Sequence, residues 1–333
     1  MKLSSALRGA LSSLILVAAA VLATTAAPAR AQSAYEAALP AELSTSPALC
    51  TYVPCAEVLP GATSFSERKG QPPYVEAYAE ENGQRKLVGY VMLSTDITDT
   101  PAYSGKPVVT LIGMDTAGRF VGVKILKHSE PILLLGIPES ALIGFNTQYL
   151  GKFVGDNIEI GRSRPDEDII GLDAISGATV TVIAQNQVMM TSGAAVARQV
   201  GILEPTIRPQ ARFADGGRTL DWATLVAEGA VRNLKVMPEQ VGLQRGATPF
   251  IDLWFGYLNH PEIGRSVLGE AGWRSLMARL REGEHALFVI RTGGNESFKG
   301  SGFVRGGIYY RVQIRQGQYA FTFRVLDYLN LYG

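Results

Sequence analysis

A cluster of β-rich runs between residues 74 and 126 most constrains what this chain can fold into. Tyr74-Val75-Glu76-Ala77-Tyr78 alternates, and residues 87–93 and 107–114 are longer β-rich stretches. The turn Asp115-Thr116-Ala117-Gly118 then returns the chain into another run at 120–126. Runs of this kind bounded by turn residues predict a twisted antiparallel sheet. Helical patterns follow at 140–150 and 180–203, the second closed by Gly201 and Glu204-Pro205. Pro205, Pro209 and Asp215-Gly216-Gly217 then read as a linker. Beyond it, helices are expected at 219–230 and 261–280. Strands are expected at 248–257, 284–292, 302–315 and 318–326, the last two joined at Gln316-Gly317. The predicted fold class is α+β: a sheet domain with flanking helices, then a second, smaller α+β domain. The expected boundaries are 1–31 for a signal peptide and 32–70 for an N-terminal segment of short helix and loops. The sheet domain follows at 71–204, the linker at 205–218 and the second domain at 219–333.

The first thirty-one residues read as an address. Lys2 and Arg8 open it, an apolar run without acidic residues spans 11–27, and Ala29-Arg30-Ala31 offers a small-x-small cleavage site. This is the pattern of a secretory signal peptide, with an uncleaved N-terminal anchor as the alternative. Without Lys2, Arg8 and Arg30 the chain keeps 28 Lys+Arg against 30 Asp+Glu. The expected location is periplasmic, or membrane-associated where the chain is part of a longer protein. In an oxidising compartment Cys50 and Cys55 are expected to form a structural disulfide.

Composition removes several classes of function. A formal net charge of +1 gives no basis for binding nucleic acid directly. Two cysteines are too few for an iron–sulfur cluster, and with three histidines they show no zinc-ligand spacing, so no metal site is expected. Redox chemistry here would need an organic cofactor. Ser66-Glu67-Arg68-Lys69 matches a Ser-x-x-Lys acylase pattern, but its companion motifs are missing. Gly300-Ser301-Gly302 with Gly306-Gly307 has the wrong spacing for a dinucleotide loop and precedes a strand. Trp222, Trp254 and Trp273 read as core anchors, Met189 and Met190 as core packing, and Lys106 as a solvated loop lysine.

One segment is left: Asp173-Ala174-Ile175-Ser176-Gly177-Ala178-Thr179-Val180-Thr181, leading into the long apolar helix. On spacing alone it is a helix N-terminus, with Asp173, Ser176 or Thr179 as caps. A helix start also offers free N–H groups and the positive end of the macrodipole to an anion such as phosphate. Gly177 with Ala178 lets a bulky group approach the backbone. A hydroxyl there could carry a phosphoester. Threonine is a weak nucleophile without a base, and the motif contains no His or Lys, so another enzyme would have to supply the catalysis.

The segment resembles the flavinylation motif Asp-x-x-(Ser/Thr)-Gly-Ala-(Ser/Thr)-x-(Ser/Thr) of FMN-binding domains in Rnf and sodium-pumping quinone oxidoreductase subunits, with all fixed positions satisfied. Gly89-Tyr90-Val91, Tyr103-Ser104-Gly105-Lys106-Pro107 and Lys127-His128-Ser129-Glu130-Pro131 through Glu139 resemble the exported N-terminal region of the NosR/NirI family. So do the stretch from Phe298 to Gly307 and the closing strand through Asp327-Tyr328. The resemblance implies FMN linked through its phosphate to Thr181 by a flavin transferase that uses FAD and magnesium. It also implies Asp173, Ser176, Gly177, Ala178 and Thr179 around the cofactor. His128 and Glu130 are placed at the flavin ring, a structural hydrogen-bonded histidine being the equal alternative. The implied role is a covalent-FMN electron carrier, a transferase substrate rather than an enzyme. It would work between a membrane electron donor and the nitrous oxide reductase system, supporting that reductase's activity or maturation in denitrification. The alternative is a redox-sensing or partner-binding regulatory module without turnover. Family members usually continue into transmembrane helices and a cysteine-rich domain; this chain has neither, as a fragment or as a stand-alone version.

Overall fold

The computed structural model describes residues 33–161, 169–205, 212–281, 283–298, 307–316 and 319–324. The signal peptide, part of the linker, the Gly300–Gly307 stretch apart from Gly307, the Gln316-Gly317 turn at Gly317 and the closing strand at Asp327-Tyr328 lie outside the described residues.

Five strands form an antiparallel meander in the order β1 (Ser64–Lys69), β2 (Tyr74–Glu81), β3 (Gln84–Leu93), β4 (Val109–Asp115), β5 (Phe120–Lys127). Each strand pairs with its neighbours in the chain, and two of the connections are tight turns. Asn82 and Gly83 both take positive φ, 55° and 74°, between β2 and β3, the backbone that suits a twisted hairpin. Between β4 and β5, Asp115 Oδ1 accepts from Ala117 N and Arg119 N at 2.9 and 2.8 Å and fixes the turn. β4 is buried at every position except its last because both faces of the sheet are covered.

On one face lie α3 (Glu139–Thr147) and the 21-residue α4 (Thr179–Gln199). Val182, Met189, Val196 and Ala197 of α4 pack against Tyr90, Met92, Ile112, Met114 and Phe120. On the opposite face α1 (Leu49–Tyr52) and α2 (Cys55–Val58) cover Val75, Val91, Leu93 and Leu111. Burial of each such side chain contributes on the order of 1.5–3 kcal/mol. The Cys50–Cys55 disulfide joins the two short helices. The chain from α3 to α4 passes through β6 (Ile158–Ile160) and β7 (Ile170–Leu172), a short parallel pair.

After the linker come α5 (Trp222–Ala227), β8 (Val231–Val236), β9 (Ile251–Tyr257), α6 (Pro261–Met277) and β10 (Leu287–Gly293). The three strands form a sheet in the order β10-β9-β8, packed through Leu225, Val231, Leu258 and Phe288. A hairpin of β11 (Ile308–Gln316) and β12 (Tyr319–Arg324) follows. The α+β class is as expected. The sequence reading missed β1, which lies in the segment read as helix and loops, and β6, β7 and β8.

Candidate functional site

Loops from three parts of the chain meet at the first turn of α4. Ile175 O accepts from Ala178 N at 3.0 Å, and Gly177 takes φ +79°, turning the chain into the helix. The N-cap residue is Ala178, which has no side chain able to cap the first N–H groups. Asp173 is tied by its backbone to Gln148 instead, at 2.8 and 3.2 Å. Ser176, Gly177 and Thr179 are exposed, whereas Ala178 and Thr181 are fully buried.

Thr181 Oγ1 donates to Glu130 Oε2 at 2.5 Å, and Glu130 has no solvent exposure either. The carboxylate rests on two successive backbone amides, Tyr103 N to Oε2 at 3.2 Å and Ser104 N to Oε1 at 3.1 Å. This pair of N–H groups directed at one anion lies directly beside the hydroxyl. Behind it stands His128, also fully buried. Its Nδ1 accepts from Glu130 N at 3.3 Å, so the ring proton sits on Nε2, which donates to Glu139 Oε1 at 3.1 Å. Glu139 Oε1 also accepts from Ala34 N at 2.7 Å, and Tyr35 packs edge-on against the ring. The structure thus places His128 against the Glu130 backbone and Glu139, one layer behind the hydroxyl.

The loop between these contacts, residues 131–137, begins and ends beside the motif. Glu130 holds Thr181, and the Ile137 side chain lies 3.3 Å from where a Cβ on Gly177 would stand. Leu134 and Leu135 on this loop are 78% and 75% exposed. One turn beyond Thr181, the buried Gln185 donates to Thr110 Oγ1 at 3.0 Å, continuing a polar track into the sheet.

Lys106 is a surface lysine held at Ser129 Oγ, 3.5 Å away. Among the tryptophans, Trp222 packs on Trp254 but is exposed rather than a core anchor, and Trp273 Nε1 donates to Leu258 O at 2.9 Å. Ser66 and Lys69 form no acylase pair: both lie on β1, and Lys69 is bonded to Glu76, which holds its ammonium above its ordinary value and keeps it protonated.

The sequence reading missed Glu139 and the amide role of Tyr103 and Ser104. Backbone N–H groups leave no signal in residue type, and Glu130 lies 51 residues from Thr181.

An uncapped helix start with a threonine hydroxyl in its first turn fits a phosphate ester. Residues 103–191 match the FMN-binding domain family. The match begins at Tyr103 and ends within α4, enclosing every residue of the cluster except Ala34 and Tyr35. Over 266 residues the chain is 41% identical to the Regulatory protein NosR of Stutzerimonas stutzeri, covering 74% of this chain and 36% of that protein. It is 38% identical over 284 residues to the Regulatory protein NosR of Pseudomonas aeruginosa, covering 80% and 39%. It is 27% identical over 241 residues to the Protein NirI of Paracoccus denitrificans, covering 70% and 34%. The chain therefore spans little more than a third of the length of these relatives. Among the described residues no helix is long and apolar enough to cross a membrane.

Proposed function

We propose that this chain, an FMN-binding region of the NosR/NirI family, carries its FMN as a phosphoester on Thr181 and serves as an exported electron-transfer module in denitrification. The observation that carries this reading is the Thr181 hydroxyl, in the first turn of α4, bonded to a carboxylate that rests on two backbone amides. Bound FMN supplies one- and two-electron chemistry; the protein supplies attachment, orientation and electrostatics. The α4 N-terminus is positioned to hold a phosphate, and the Tyr103–Ser104 amides hold Glu130 beside it. Asp173, Ser176, Ala178 and Thr179 shape the turn that presents Thr181.

In this reading a flavin transferase using FAD and magnesium makes the link after export by the 1–31 signal peptide. A membrane-bound donor reduces the module, which supports the nitrous oxide reductase system. The sheet domain at 71–204 holds the cofactor, and residues 219–333 form a second, smaller α+β domain. The name of the first two relatives, a regulatory protein, favours a second reading: a redox-sensing module whose flavin state changes partner affinity without turnover.

Co-expression of the full chain with a flavin transferase tests the attachment. The expected product is yellow after denaturation, with the mass of one FMN on the peptide containing Thr181. Thr181→Ala should be colourless, while Thr179→Ala should keep the flavin. An unmodified Thr181 under these conditions would refute the reading.

A further inference from the structure

We propose that Glu130 takes the hydroxyl proton of Thr181 as the phosphoester forms and then keeps it, as a hydrogen-bond donor to the finished diester. This rests on the reading of Thr181 as the attachment point and assigns the base that the motif itself lacks. A threonine hydroxyl needs a neighbouring proton acceptor to act as a nucleophile. The fold delivers one from a distant loop: Glu130 Oε2 stands 2.5 Å from Oγ1, the spacing of a hydroxyl bonded to a carboxylate. Both groups are fully buried, and the carboxylate is fixed by Tyr103 N and Ser104 N, so it is oriented before any donor arrives.

The step balances without any change of oxidation state. Thr181 Oγ1 bonds to the flavin-side phosphorus of a flavin adenine dinucleotide. The pyrophosphate P–O bond breaks, AMP leaves with its electron pair, and the hydroxyl proton passes to Glu130.

The product explains why the proton stays. A diester on Oγ1 would set a second anion against a buried carboxylate, where like charges repel strongly. A protonated Glu130 donates to that anion instead. The ionisable groups around it do not take over this task. His128 Nδ1 accepts from the Glu130 backbone, and its Nε2 faces Glu139. Lys106 is held at Ser129 and lies 4.0 Å from Glu36, and Tyr103 contributes its backbone N–H.

The test uses the full, flavin-free chain with a flavin transferase, FAD and magnesium, following flavin incorporation by absorbance and intact mass. Glu130→Gln should slow attachment by about a hundred-fold or more in protein that still folds, and Glu130→Asp should recover part of the rate. In the flavinylated wild type, the phosphorus NMR shift of the diester should move with pH as Glu130 gives up its proton. Attachment to Glu130→Gln within two-fold of wild type would overturn the inference. If that variant does not fold, the wild-type phosphorus signal decides: a pH-independent shift overturns it equally. A wild type that takes no flavin on Thr181 instead refutes the attachment reading, and this inference falls with it.

Discussion

His128 shows how a single side chain can serve a site without touching the reacting atoms. Its two nitrogens have opposite duties, Nδ1 accepting from Glu130 N and Nε2 donating to Glu139, and the ring is sealed from water. Replacing it with alanine leaves the buried Glu130 N–H without its acceptor and takes one donor from Glu139, which keeps Ala34 N. His128→Ala should therefore lose about 1–3 kcal/mol in urea unfolding for each group left unsatisfied. His128→Gln, which can keep one of the two bonds, should lose less. Equal stability of His128→Ala and wild type would show that the ring is dispensable to the loop. At this scale the sequence was legible only in part. Spacing around Gly177 gave only a helix start, and the resemblance to the flavinylation motif singled out Thr181; its partner comes from a loop after β5, and the amides beneath that partner belong to residues whose side chains are irrelevant to the contact. Asp173, read as a cap, is held through its backbone by Gln148, a pairing across the gap between α3 and α4 that no local pattern encodes.

Elements were read where burial imposes a period and missed where it does not. β2 to β5, α3 and α4 announced themselves because an apolar face repeats along them. β1 is Ser-Phe-Ser-Glu-Arg-Lys, a polar edge strand whose evidence is its pairing with β2 rather than its own composition. β8 is exposed over most of its length and was invisible for the same reason. The disulfide-linked helices expose a second kind of hidden information. Gly113 of β4 and Gly122 of β5 are register partners, and a Cβ on either would stand 1.9 or 2.2 Å from the Val58 carbonyl oxygen. The sheet is bare at this point so that the end of α2 can lie directly on it. A methyl group meets backbone there, which cannot rotate away. Gly113→Ala should destabilise the protein by about 1–3 kcal/mol, read as a lower denaturation midpoint with protection lost first in amides of residues 49–59. A fully tolerated alanine would mean that α2 does not seat on the sheet.

At the scale of the molecule, charge is distributed unevenly between the two parts of the chain. Six carboxyls described here are held below their ordinary values. Glu76 and Glu81 lie in the five-stranded sheet, bonded first of all to Lys69 and Lys86. The other four fall between residues 215 and 284. They are Asp215 against Arg265, Asp221 at the Thr224 side chain and N–H, Glu262 against Arg218, and Glu284 at Arg281. A carboxyl lowered in the folded state lends stability above its unfolded value, and that stability drains away as pH falls through the lowered one. Asp96 in the sheet domain runs the other way. Burial raises it despite Arg68, so the folded state binds its proton more readily as pH falls. Acid should therefore weaken the C-terminal part before the sheet domain, beginning as pH drops below the ordinary glutamate value of 4.5. Most of these pairs are exposed, so each contributes little and the effect is collective, reduced by salt. The chain carries its own reporter, since all three tryptophans, Trp222, Trp254 and Trp273, lie beyond the linker. In an acid titration at low salt, tryptophan fluorescence should change at a higher pH than hydrogen-exchange protection of the α4 amides, which reports on the five-stranded sheet and its helices. Two separated transitions would support the division at 205–218. Coincident ones would mean that the region after the linker and the sheet domain unfold as one cooperative body, bound together by contacts such as Arg324 on Asp99 at 2.6 Å.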